Sequence, residues 1–225
     1  TVFFGGSVER TEIRPGTNIP AAYLAYANRF GYTSSALPLT VGWARDDRDS
    51  AIAPQIGSFK RVNLEWSVAG DVRYLRANLQ YQQYIPLTNR FTLGLNSELG
   101  YGYGLGDKPY PIFKNFYGGG LGSVRVFEQG SLGVVDVTNN YIGGNRKLNI
   151  NAELYVPVPG SGNDKSLRIF GFMDAGNVWG ESEKITGESI RASAGIGLQW
   201  ISPVGPLKLS WGTPLRSQPT DRIEK

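Results

Sequence analysis

The side chains that most often carry catalysis or bind metal ions are missing from this sequence of 225 residues. It contains no histidine and no cysteine. The imidazole base of serine and cysteine hydrolases, thiolate metal ligands and disulfide bonds are therefore excluded. Asp46, Asp47 and Asp49 surround Arg48 in a short segment, but acidic residues in turns are usually solvated. We expect no catalytic residue, no metal site and no cofactor.

Glycine-rich segments are the next candidates for chemistry, because such loops can cradle phosphate groups. Glycine occupies alternate positions from Gly100 to Gly106, but neither a Gly-Lys-Ser/Thr sequence nor a helix pattern follows. Alternate glycines in a strand instead predict a bend or close packing. The formal net charge of +4 is small and scattered, so we expect no nucleic-acid partner.

The segments that must position any remaining site have the residue pattern of β-strands. Polar and apolar residues alternate almost throughout the chain, and a short helix is predicted only at residues 20–29. A long glycine-rich connection, about residues 106–144, separates the fifth strand from the sixth. The nine predicted strands are residues 2–13, 39–45, 59–68, 74–85, 91–103, 147–156, 167–179, 190–201 and 206–214.

The alternation gives each strand an apolar face and a polar face. In the strand at residues 147–156, Leu148, Ile150 and Leu154 share one face, and Asn149 and Glu153 share the other. A soluble β-sandwich produces the same pattern, because one face of each of its sheets meets water. The pattern alone therefore leaves a soluble β-sandwich binding module as an alternative to a membrane barrel.

Three features favour the membrane barrel. The strands are about 10–13 residues long against a usual 5–6, their connections alternate between short and long, and Tyr and Trp crowd their ends. No run approaches the roughly 18–20 apolar residues of a membrane helix, but a barrel strand needs only about 9–11 residues with every second one facing lipid. The mean hydropathy of −0.25 fits such strands. We predict an all-β fold, an antiparallel meander of about nine long strands in a transmembrane β-barrel.

Several motifs in a fixed order resemble a known family. Residues 113–120 read Phe-Lys-Asn-Phe-Tyr-Gly-Gly-Gly, and a tetrad follows them, consisting of Val124, Arg125, Val126 and Phe127. Residues 172–176 read Phe-Met-Asp-Ala-Gly, and residues 202–207 read Ser-Pro-Val-Gly-Pro-Leu. These are similar to F-x-N-F-Y-A-G-G, V-R-G-F, F-x-D-x-G and S-P-[LIV]-G-P-L in the C-terminal barrel of the BamA family of outer-membrane protein assembly factors, within the POTRA-transporter and surface-antigen superfamily.

The resemblance covers essentially the whole chain and implies its place in a larger protein. Residues 1–225 would be the second half of a C-terminal outer-membrane barrel of about 16 strands, with residues 106–144 as a loop inserted into the lumen. The odd number of predicted strands also indicates a part of a larger barrel, because bacterial single-chain barrels have even numbers of strands and must close. The POTRA domains, the first strands and the final strand, which in the family follows a segment like residues 221–225, would lie outside this chain.

The resemblance also implies a functional site at the loop tip. In the family the tetrad arginine enters the lumen and pairs with acidic residues of the wall, which here would be Glu153 and Asp174. The alternation agrees, because both carboxylates fall on the polar faces of neighbouring strands, and an arginine fork can engage such a pair. The alternative is a solvated Arg125 and two unrelated charges.

One tetrad position departs from the family pattern. Val126 stands where the family has glycine. Glycine tolerates a positive φ and a close backbone approach, whereas a β-branched valine tolerates neither. Val126 therefore works against the loop-tip conformation that the resemblance implies, but we still expect the Arg125 guanidinium within hydrogen-bonding reach of Asp174, Glu153 or both.

The function implied by the resemblance is the non-enzymatic insertion of other β-barrel proteins into the outer membrane of Gram-negative bacteria. The implied partners are outer-membrane lipids, unfolded outer-membrane protein clients and accessory assembly lipoproteins. An incoming chain would pair with a free strand edge at the barrel seam, and no residue of this chain can be assigned to that seam. A two-partner-secretion exporter of the same superfamily is the first alternative, and the soluble β-sandwich module is the second.

Overall fold

The computed structural model describes residues 1–17, 19–158, 166–202 and 205–224. A sheet of long strands dominates this part of the chain, and one helix and two short 3-10 turns lie in the connections. The elements are β1 (Val2–Gly6), β2 (Glu9–Glu12), α1 (Ala21–Phe30), β3 (Thr33–Asp46), β4 (Gly57–Gly70), β5 (Tyr74–Pro86), β6 (Thr92–Gly104), a 3-10 turn (Ile112–Lys114), β7 (Val134–Val135), β8 (Tyr141–Gly143), β9 (Arg146–Pro157), β10 (Leu167–Trp179), a second 3-10 turn (Gly187–Ser189), β11 (Arg191–Ser202) and β12 (Gly205–Arg216).

The long strands form one antiparallel sheet in the order β1-β3-β4-β5-β6-β9-β10-β11-β12, with β2 also paired to β3. The predicted nine-strand antiparallel meander is therefore confirmed. The second sheet of the described residues is only the hairpin of β7 and β8, inside the long connection. Two large stacked sheets are not formed, so the β-sandwich alternative is wrong for this part of the chain.

The predicted first strand, residues 2–13, is wrong in one respect. It is interrupted at Ser7 and Val8, and its two parts, β1 and β2, both pair with β3. The interruption lies opposite Pro38, whose carbonyl accepts a hydrogen bond from Ser7 N at 3.1 Å but whose ring nitrogen carries no hydrogen to donate. The register between β3 and β4 shifts at the same place, between Ala36 and Pro38. A proline inside a strand removes ladder hydrogen bonds, which explains the irregularity on both sides.

The predicted hairpin at residues 202–207 connects β11 to β12. Ser202 and Gly205 pair at its base. Its Pro203 and Val204 lie outside the described residues, as does Lys225 at the end of the tail.

Side chains of the long strands alternate between two faces of the sheet. Apolar side chains are exposed on one of them, which we call the bare face, and Met173 there is 61% exposed. As predicted, Ile150 and Leu154 are among these exposed residues rather than in a protein core. An apolar surface of this extent is typical of contact with a membrane or another protein. The bare face includes Val41, Trp43, Leu64, Trp66, Leu79, Ile150, Leu154, Ile169, Met173, Ile196, Leu209 and Trp211.

The long connection covers the opposite face, which we call the loop face. Glycines of β6 make this contact possible, because a Cβ atom at Gly100 would lie 2.8 Å from the ring of Phe116 and one at Gly102 would lie 2.4 Å from the ring of Tyr110. Arg76 of β5 also packs on Phe116, with 4.5 Å between its Cζ and the ring centroid. The predicted close packing at the alternate glycines is therefore confirmed.

The predicted helix is confirmed as α1, which packs against the long connection. Tyr26 and Ala27 are buried with Ile13 and Ile112 in a small apolar cluster. Among the described residues, no helix has both the length and the apolar character to cross a membrane.

Candidate functional site

The tip of the long connection contacts the wall formed by β9 and β10. Arg125 donates to Asp174 from Nε at 2.7 Å and from Nη2 at 2.6 Å, and its backbone nitrogen donates to the same carboxylate at 3.0 Å. Its Nη1 donates to Glu153 Oε1 at 2.5 Å. The side chains of Arg125 and Asp174 are 5% and 0% exposed. The structure thus brings together the arginine and the two carboxylates that the sequence singled out.

The two strands of the wall set the positions of these carboxylates. Phe172 lies opposite Glu153 in the β9–β10 register, and Asp174 lies opposite Asn151, so the carboxylates are diagonal neighbours on the loop face. Asn151 Nδ2 donates to Asp174 Oδ1 at 2.8 Å and to the carbonyl of Ser123 in the loop at 2.7 Å. It therefore orients Asp174 and ties the loop tip to the wall. Sequence reasoning missed this role, although the alternation puts Asn151 on the polar face.

Aromatic rings line the wall beneath the arginine. The Cζ atom of Arg125 lies 3.8 Å from the ring centroid of Phe172 and 5.7 Å from that of Phe170. These rings occupy space left by glycines of β11, because a Cβ atom at Gly195 would lie 2.7 Å from Phe172 and one at Gly197 would lie 2.3 Å from Phe170. The wall therefore offers the guanidinium a flat apolar surface as well as two carboxylates.

A second cation, which sequence reasoning missed, completes the charge balance. Lys208 on β12 donates to both oxygens of Glu153, at 2.7 and 2.8 Å. The hydroxyl of Tyr155 donates to the same carboxylate. Arg125 and Lys208 thus neutralise Glu153 and Asp174, and buried charges are stable only when they are paired in this way. The signal in the sequence was the position of Lys208 on the polar face of its predicted strand.

The other tetrad residues anchor the tip or strain it. Val124 and Phe127 are fully buried and form an apolar cluster with Leu132. Val126 has a φ of +80°, the left-handed region in which a β-branched residue is strained. Val126 does not tilt the tip away from the wall, because Arg125 makes its contacts while Val126 adopts a glycine-like φ.

A second ionic contact, not predicted from the sequence, ties the long connection to the other half of the sheet. Lys114 Nζ lies 2.8 Å from Glu9 Oε2 on β2 and 3.1 Å from Glu65 Oε1 on β4. It also lies 5.3 Å from the ring centroid of Tyr74, whose hydroxyl donates to Glu65. Burial disfavours the charged lysine, but its hydrogen bonds to the two carboxylates outweigh this and raise the pKa of Lys114.

The charged groups of this arrangement hold the long connection on the sheet. The carboxylates of the site accept hydrogen bonds from cations, an amide and a tyrosine, so they are already engaged. No group of His, Cys, Asp or Glu that could hold a metal ion occurs among the described residues. The arrangement fixes a long loop to two separate regions of the sheet.

A family model and a solved structure each match the whole chain. The family model described as the Omp85 superfamily domain matches residues 1–225. A solved structure, BamA from Haemophilus ducreyi lacking POTRA domains 1-3, superposes with a TM-score of 0.87 at 25% sequence identity, covering 100% of this chain and 49% of that one.

Curated relatives with similar sequences include a bacterial protein and a vertebrate one. The outer membrane protein assembly factor BamA of Neisseria meningitidis serogroup B is 35% identical over 262 residues, covering 100% of this chain and 33% of the relative. The sorting and assembly machinery component 50 homolog of Mus musculus is 32% identical over 193 residues, covering 79% of this chain and 41% of the relative. The chain therefore spans less than half the length of these relatives.

Proposed function

The chain belongs to the Omp85 superfamily, and on this premise we propose that it is part of an outer-membrane barrel that assembles and inserts other outer-membrane proteins. The observation that carries the proposal is the 35% identity, over the whole chain, to an outer membrane protein assembly factor. The activity is non-enzymatic. It uses the pairing of β-strand edges and the surrounding lipid rather than bond chemistry.

The bare face supports an outer-membrane location. The long strands have 12–14 residues each, which is enough to cross a bilayer at the usual tilt. Apolar side chains exposed along the same strands match a lipid contact. We place residues 1–225 in the C-terminal barrel of a Gram-negative outer-membrane protein, joined in the full protein to POTRA domains and to further strands that close the barrel.

The loop tip is the proposed functional site of this barrel. Its tetrad, Val124 to Phe127, presents Arg125 to Glu153 and Asp174, and the long connection fills the lumen. Unfolded outer-membrane proteins are the clients, and accessory assembly lipoproteins and outer-membrane lipids are the other partners. By attaching the loop to the barrel wall, these contacts keep the barrel in the conformation that client assembly requires.

A charge swap in the full-length protein tests this function. Arg125→Glu places a third carboxylate between Glu153 and Asp174, and we expect it to abolish client assembly in a depletion strain. Adding Asp174→Arg restores part of the assembly. Arg90→Glu, at an exposed turn between β5 and β6, is the matched control and leaves assembly intact. Wild-type assembly by Arg125→Glu would contradict the site, and export of a passenger with no assembly defect in a null strain would contradict the function.

A further inference from the structure

The segment that follows β12 pairs with the loop tetrad. Glu128 N donates to the carbonyl of Arg222 at 2.9 Å, and Glu224 N donates to the carbonyl of Val126 at 2.7 Å. Between these two hydrogen bonds, Phe127 and Ile223 form an antiparallel bridge. The backbone of the segment is thus bonded on both sides of Phe127.

Apolar packing accompanies this pairing. Ile223 packs on the buried cluster of Val124, Phe127 and Leu132. The cluster holds two of the four tetrad residues, so the side chain of Ile223 and the backbone of its neighbours contact the same short stretch of the loop.

A buried ion pair attaches the segment to β11. Arg191 donates to Asp221 from Nε at 3.1 Å and from Nη2 at 2.9 Å, and their side chains are 7% and 1% exposed. Arg191 also donates to Gln218 Oε1 at 2.9 Å, and the backbone nitrogen of Gln218 donates to Asp221 at 2.6 Å. The two ends of the segment are therefore fixed to different elements, Gln218 and Asp221 to the sheet and Ile223 to the loop.

We propose that residues 218–224 form a clamp that positions the loop tip, with Arg191 and Asp221 as positioning residues that act on Arg125 through the tetrad backbone. Val126 supplies the reason for a clamp. Its strained φ persists only where the surroundings hold it on both sides. On one side of Val126, Arg125 is bonded to the wall of β9 and β10. On the other side, the backbone hydrogen bonds of Val126 and Glu128 attach the chain to the clamp.

Cysteine labelling of the full-length protein, with any cysteines outside this chain replaced, tests the clamp. The chain has no cysteine of its own, so Ser123→Cys, at a buried position beside the tetrad, reports only on the loop tip. Ser67→Cys, buried on β4, reports on a part of the sheet that four strands separate from β11. We expect Asp221→Asn to speed maleimide labelling of the cysteine at position 123 at least tenfold, and labelling at position 67 less than twofold.

Control variants separate clamp release from general destabilisation. Glu224→Gln makes the same chemical change at an exposed position of the segment and leaves both labelling rates unchanged. Asp221→Glu keeps the charge and restores most of the protection. If Asp221→Asn does not fold, as judged by heat-modifiable migration, Ile223→Ala takes its place, since it leaves the ion pair intact. Unchanged labelling at position 123 in the folded variant, or an equal increase at positions 123 and 67, would overturn the proposal.

Discussion

The ring of Phe172 lies beneath the guanidinium of Arg125, with its centroid 3.8 Å from Cζ, while Asp174 engages the edge of the same group with two hydrogen bonds. A guanidinium can meet a flat ring and a carboxylate at once because it is planar and its donors are forked. A lysine ammonium has neither property. The site therefore selects arginine by shape as well as by charge.

Arg125→Lys should weaken the site although the charge is kept. The variant loses the fork to Asp174 and the stacking on Phe172, which we expect to cost about 2 kcal/mol of unfolding free energy in the full-length protein. The midpoint of urea unfolding in lipid, followed by heat-modifiable migration, measures this loss. Arg90→Lys at the exposed turn is the control and should leave the midpoint unchanged. A midpoint for Arg125→Lys equal to the wild type would show that charge alone holds the loop.

Val126→Gly should stabilise the loop tip. The residue has a φ of +80°, which costs a non-glycine residue about 1–3 kcal/mol, and glycine loses about 0.5–1 kcal/mol of this gain through its freer unfolded chain. We expect a net gain of about 1 kcal/mol in unfolding free energy, seen as slower proteolysis of the loop. Val126→Ala keeps a Cβ atom at the same φ and should gain little. Faster proteolysis of the glycine variant would disprove the strain at this position.

Gly100→Ala should loosen the long connection from β6. The new Cβ atom would lie 2.8 Å from the ring of Phe116, and such overpacking costs about 1–3 kcal/mol. Gly122→Ala is the matched control, because in the part of the chain that the structure describes no atom beyond Gly122 and its two neighbours lies within 4 Å of the corresponding Cβ position. We expect faster hydrogen exchange at residues 112–118 in the first variant and no change in the second. Equal exchange in both variants would mean that Phe116 moves aside without cost.

Lys114→Met should release the other end of the connection. It leaves Glu9 and Glu65 without their shared cation, at an expected cost of about 2 kcal/mol in unfolding free energy. The pKa of Lys114 is raised, so its contribution is fully present below the unfolded pKa of about 10.4 and is lost only as pH rises through the folded value. The difference from the wild type in urea midpoint should therefore be constant between about pH 6 and pH 9. Lys184→Met, at an exposed position between β10 and β11, is the control, and a difference that vanished by pH 8 would contradict the role of the ammonium.

Alternation made the sheet predictable from the sequence. Eight of the nine predicted strands each overlap a single observed strand. The strand predicted at residues 167–179 has the same bounds as β10. The exception, residues 2–13, depends on Pro38 in the neighbouring strand. A strand prediction made from local alternation carries no information about which residue lies opposite.

The site was predictable only in part, for a related reason. The alternation put Glu153 and Asp174 on one face, and the family resemblance supplied Arg125. Lys208 and Lys114 lie far in sequence from their partners: Lys208 is 55 positions from Glu153, and Lys114 is 49 positions from Glu65. Their contacts depend on the strand order and on the path of the loop across the sheet, which no local pattern contains.

The packing of the long connection on the loop face has an electrical consequence. Phe116 and Tyr110 fill the groove above the glycines of β6. Arg125 attaches the loop to β9 and β10, and Lys114 attaches it to β2 and β4. In a closed barrel these contacts place side chains and neutralised charges across the path that ions would follow. The intact barrel should therefore carry little current in a planar bilayer. A variant that loses the contacts of Arg125 or of Lys114 should have a higher single-channel conductance. Such recordings would show, for single molecules, whether the loop is bound to the wall.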